Sequence, residues 1–183
     1  MKKIIIVFAG IITISCSKRD NDVKQKDVNQ NEAINHYKQN ALLKGDDFAY
    51  GTYLEYCDNN NLYLEKLPVS LIMNKKYNSK KSYYQIYRNI IELYNNNNYR
   101  ADYLENLNDI DRRFAISYLE AGAKKNFRSC QMTLEKILRK GYGIKKNTAK
   151  SDSLYSILEK DSAIGRIYLE NRNNKSKIDN IVF

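Results

Sequence analysis

Apolar residues recur at helical spacing along most of the chain, and short polar segments interrupt them. The clearest stretch is Ala115 to Tyr155. There Cys130, Leu134, Ile137 and Leu138 fall on one face of a helix. Gly141 and Gly143 flank Tyr142 where that helix must stop, because glycine tolerates a left-handed stop. Ile144 follows as an apolar plug, and Asn147 or Thr148 is placed to cap the next helix.

With Cys130 as an anchor, the face is the anchor and the residues four, seven and eight further on. Ala49, Tyr53, Tyr56 and Cys57 repeat it, as do Tyr83, Tyr87, Ile90 and Ile91. Gly165 with Leu169 begins a shortened fourth copy, so the anchors are separated by 34, 47 and 35 residues. Periods in the mid-thirties predict helix pairs that bury their faces by stacking on one another. A preceding helix fits each anchor. Ala115 and Ile34 both lie 15 residues ahead of theirs, which sets Tyr37 on Tyr118, Ala41 on Gly122 and Gly45 on Asn126. The second copy is less regular. Pro68 is expected at the start of its helix, and Lys75 and Lys76 stand where small residues belong. The long middle interval holds residues 95–109, whose run of four Asn predicts a loop protruding from one face.

Composition supports an all-helical reading, since one Pro and 7 Gly in 183 residues leave few strand and turn signals. The expected fold is all-α, a short right-handed α-α superhelix of three to four helix pairs. The pattern of Cys130, Leu134, Leu138, Gly141-Tyr142-Gly143-Ile144, Ser151 and Tyr155 resembles Sel1-like repeats, relatives of the tetratricopeptide repeat. Glu135 departs from that pattern, which prefers glycine there, and Ser151 stands where Ala is usual.

The beginning of the chain carries an address. Met1-Lys2-Lys3 followed by the apolar run Ile4 to Ile14 has the layout of an export signal and is too short to span a bilayer. Thr13-Ile14-Ser15-Cys16 resembles the lipobox of bacterial lipoproteins, with Thr13 where an aliphatic residue is usual. That resemblance implies a lipid on Cys16 and a membrane-anchored protein facing the periplasm. The expected organisation is a signal peptide over 1–15, a polar flexible tether over 16–30, repeats over 31–172 and a tail over 173–183. The apolar segment Ile178 to Phe183 is expected to fold back as a terminal cap.

The formal net charge of +10, about +8 without Lys2 and Lys3, favours acidic partners. Nucleic acid is not expected, because an exported chain rarely meets it. Lys75, Lys76, Lys80, Lys81 and Arg88 crowd the second copy among Tyr77, Tyr83, Tyr84 and Tyr87. Tyr83 and Tyr87 fall on the core face. Tyr77, Lys80, Lys81, Tyr84 and Arg88 are therefore the candidate partner-binding residues, of types favoured at interfaces.

Catalytic signals are sparse. His36 is the one histidine, and no HExxH, GxSxG, P-loop or GxGxxG occurs, so no catalytic residue, cofactor or metal site is expected. Asp46, Asp47, Asp109, Asp111, Asp152 and Asp161 stand near predicted helix starts, where capping and the helix dipole explain them. Cys57 and Cys130 lie two stacking steps apart, at about 8–10 Å per packed helix, whereas a disulfide needs Cα atoms within about 7 Å. Buried free thiols are expected. The reading is a non-enzyme, a membrane-anchored protein-binding scaffold. The resemblance adds two roles to consider, an immunity protein that neutralises a secreted toxin and an envelope-assembly scaffold. The alternative from another class is an envelope hydrolase acting on peptidoglycan or β-lactams.

Overall fold

A computed structural model of the chain describes residues 32–160. The expected signal peptide with Cys16, the expected tether, Asp161, the expected shortened copy at Gly165 and the segment 178–183 lie outside the described residues. The chain divides into two units, Met1–His36 and Tyr37–Phe183. In the first, residues 32–36 are helical and His36 is exposed.

The second unit is all-α among the described residues. Its helices are α1 (residues 37–44), α2 (Asp47–Asn59), α3 (Tyr63–Tyr77), α4 (Lys80–Tyr94), α5 (Asp109–Lys124), α6 (Arg128–Lys140) and α7 (Thr148–Glu159). A 3₁₀ turn, Ala101–Asn106, sits between α4 and α5. From α2 to α7 each helix packs on the next, and α4 also touches α6. The predicted pairs are present as α1/α2, α3/α4 and α5/α6, with α7 opening the fourth.

The three anchors Ala49, Tyr83 and Cys130 are buried, and so is every other position of the repeated face except half-buried Tyr56. The joints follow the predicted register too. Gly45 (φ +70°) and Asn126 (φ +58°), aligned from sequence, both turn the chain through the left-handed region between paired helices. Asn78 (φ +53°) does so in the second pair. Asp46 caps α2 by accepting from the amides of Phe48 and Ala49, and Asn147 caps α7 by accepting from Lys150. Gly141 (φ +84°) closes α6 as anticipated.

Cys57 and Cys130 are both free and buried. Burial pushes the Cys130 thiol up to about 12 and raises that of Cys57 as well.

Two expectations are corrected. Pro68 is not at a helix start: α3 begins at Tyr63 and runs through it. The carbonyl that Pro68 leaves without an amide donor is that of Leu64, a residue 78% exposed, so the missing bond falls on the solvent side of the helix. Residues 95–109 do not simply protrude. Ala101, Leu104 and Leu107 join the main core, and Arg112 ties the segment to the glycine loop by donating to Leu107 O (2.6 Å) and Gly143 O (3.2 Å). Burial of apolar surface at roughly 25 cal/mol per Å² favours tucking these residues in.

Candidate functional site

The first, second and third copies present α2, α4 and α6 side by side, and a groove of about 320 Å³ runs between them. From α2 it is lined by Gly51, Leu54, Glu55 and Asp58, and from α4 by Lys81, Tyr84, Gln85 and Arg88. Both sets follow the spacing i, i+3, i+4, i+7, the signature of one helix face. Phe127 and Ser129 close the groove at the start of α6.

Its deep end is built on a network of four charges. Lys66, on α3, has a side chain only 2% exposed and donates to Glu92 Oε2 at 2.5 Å and to Asp58 Oδ1. Arg88 Nε donates to Glu92 Oε1 at 2.6 Å, and its guanidinium lies 3.5 Å from Asp58 Oδ2. Two cations thus meet two carboxylates from three helices, which balances charges that burial would otherwise penalise. For Arg88 burial works to lower the pKa, but Glu92 and Asp58 overcome it and raise the pKa above its ordinary value. Beside this network Tyr50 OH donates to Ser70 Oγ (2.7 Å), Asn89 Nδ2 donates to the same oxygen (3.1 Å), and Ser70 donates to Lys66 O (2.7 Å).

The rim differs from the base. Glu55, Lys81, Gln85 and Ser129 have no side-chain hydrogen bond or ion pair among the described residues. Lys81 lies across α2 over Gly51, where a Cβ would come within 2.7 Å of its Nζ. A glycine inside a helix costs about 1 kcal/mol relative to alanine, and here it leaves room for the lysine head.

The five candidate binding residues separate in the structure. Lys81, Tyr84 and Arg88 line the groove, but Tyr84 is 5% exposed and forms its floor, so it is not the surface anchor anticipated. The reason is that α4 packs against α3, α5 and α6, which leaves only a narrow exposed arc. Arg88 is engaged by Glu92 and Asp58. Lys80 is exposed and outside the groove. Tyr77 joins α3 to α1, donating to Leu42 O at 2.8 Å, with its ring against Gly45.

Sequence reasoning did not single out Asp58, Lys66 and Glu92. One signal was available: Asp58, Glu92 and Arg139 each lie nine residues after an anchor, and Leu54, Arg88 and Glu135 five after. The buried i,i+4 pair therefore recurs with its signs exchanged, Arg88–Glu92 in one copy and Glu135–Arg139 (2.9 Å) in the next. Glu135 also accepts from Ser151 Oγ at 3.0 Å, so both departures from the repeat pattern meet in one bond between α6 and α7.

Among the described residues no cluster of three or more His, Cys, Asp or Glu is placed to hold a metal ion, and no helix is long and apolar enough to cross a membrane. No family model, curated protein or solved structure matches the chain.

Proposed function

We propose that this chain is a membrane-anchored, periplasm-facing scaffold that binds another protein through Sel1-like helix pairs. One observation carries the reading: the groove between α2, α4 and α6 has an apolar floor and rim groups with no partner among the described residues. An apolar surface with a few oriented polar groups is what recognition of another chain requires. The excess of basic residues favours an acidic partner and speeds its approach. The anchor is Cys16, in its lipobox-like context, and the polar stretch behind it gives the repeats reach from the membrane surface. Within this class the role is neutralisation of a secreted toxin or support of envelope assembly.

The test is chemical crosslinking in cells that produce the protein, followed by purification of the full chain and identification of what is attached. A reproducible protein adduct is expected, and its loss from the membrane fraction with Cys16→Ala. A toxin encoded beside the gene and captured in the adduct assigns immunity, whereas an envelope-assembly protein assigns scaffolding. Absence of any adduct across several crosslinker lengths overturns the reading.

A further inference from the structure

The groove's charges divide into two sets, and the division says what the occupant is. Asp58 and Arg88 are already matched by Lys66 and Glu92, so they shape the groove without offering charge to a ligand. Lys81, whose head reaches across to Gly51, and Glu55, one turn further along α2, are unmatched among the described residues. Leu54, Tyr84 and Phe127 form the apolar surface near them.

We infer that the groove takes a peptide segment of a partner protein, with one carboxylate on Lys81, a neighbouring apolar side chain on Tyr84 and Phe127, and a cation facing Glu55. This deepens the protein-binding reading above and rests on it. Each part follows from chemistry at the groove. Lys81 is half-buried and its ammonium is held over Gly51, so pairing there is worth more than at a fully solvated site. The unmatched Glu55 carboxylate beside Lys81 repels a uniform polyanion, which disfavours nucleic acid. The groove is open on one side, which suits a chain passing through it. Gln85 and Ser129, whose side chains have no partner among the described residues, line the same groove and are placed to meet the main-chain amides of such a segment.

The experiment is an amide-detected NMR titration of the whole mature chain with the capped peptide acetyl-Leu-Glu-Leu-Lys-amide, and with the same peptide carrying Gln for Glu. Shifts are expected at Gly51, Leu54, Lys81, Gln85 and Ser129, with at least tenfold weaker binding of the Gln peptide and of the Lys81→Glu protein. Lys75→Glu, an exposed reversal outside the groove, is expected to bind as the parent does and controls for net charge. Gly51→Ala, which displaces Lys81 without touching its charge, is expected to weaken binding as well. Unchanged affinity in Lys81→Glu, shifts centred elsewhere, or no shift at millimolar peptide each overturns the groove assignment. The two levels separate in cells. An adduct captured equally by the parent and by Lys81→Glu removes the groove and leaves the scaffold, whereas no adduct with either protein removes the scaffold.

Discussion

Gly122 on α5 lies directly against Cys130 on α6, so close that a Cβ on residue 122 would press on Cys130 Sγ and reach within 2.7 Å of Tyr83 Cβ. Three helices from two neighbouring copies therefore meet at one residue without a side chain. Alanine would gain helix propensity at this position, but Tyr83 Cβ belongs to the rigid part of its side chain and gives little. Gly122→Ala is predicted to lower stability by about 1–3 kcal/mol, the usual range for overpacking a core. Urea unfolding followed by circular dichroism measures it, and an unchanged or higher midpoint would contradict the close approach.

Lys66 is the keystone of the charge network, and its removal leaves Glu92 and Asp58 sharing Arg88 alone. Lys66→Met is predicted to cost about 3–5 kcal/mol, as breaking a buried ion pair does. Adding Glu92→Gln should recover part of the loss, because it removes the buried carboxylate left with one partner. A double-mutant cycle by urea unfolding reads the coupling between the two. Strictly additive losses would mean that the two side chains do not sense each other.

Acid sensitivity has an identifiable source in Glu65. Its carboxylate accepts from Lys38 Nζ at 2.7 Å and from Tyr53 OH, and these bonds hold its pKa below the ordinary value of 4.5. A depressed carboxylate pKa stabilises the fold above the unfolded value, and that contribution disappears as pH falls through the folded one. Glu65→Gln should therefore be less stable than the parent at neutral pH, and the gap should narrow as pH falls below the ordinary value of 4.5. Unfolding midpoints across that window check the sign.

The two described thiols should be chemically silent in the folded protein. Both are fully buried, and burial raises their pKa, to about 12 for Cys130. At about pH 8 neither should react with an aromatic disulfide reagent until the chain unfolds, whereupon both should. Rapid labelling of either in the native state would mean that the stack opens far more readily than its packing implies.

The repeats were legible because they depend on apolar spacing and on small residues at helix contacts, which a sequence displays directly. Aligning Gly45 with Asn126 required no structure, and both proved to be left-handed joints. Tyr84 is more buried than its position on the sequence suggests for a physical reason: the periodicity of one face describes a helix packed on one side, and α4 is enclosed on several. The tucked segment around Leu104 was masked by the Asn run ahead of it, although Ala101, Leu104 and Leu107 keep a spacing of three that marks a buried turn. Lys66, Glu92 and Glu135 were hidden because charge usually means surface. Their burial depends on partners 16 to 26 residues away (Ser151 for Glu135, and Lys66 with Glu92 for each other), a relation that only the folded stack creates.

The proposed partner protein enters between α2, α4 and α6. A photo-crosslinking amino acid installed in turn at Gln85, inside the groove, and at Ile110, 73% exposed on α5 and outside it, tests this in intact cells. A protein adduct is expected from position 85, abolished by Lys81→Glu, with none from position 110. An adduct from 110 and not from 85 would contradict it.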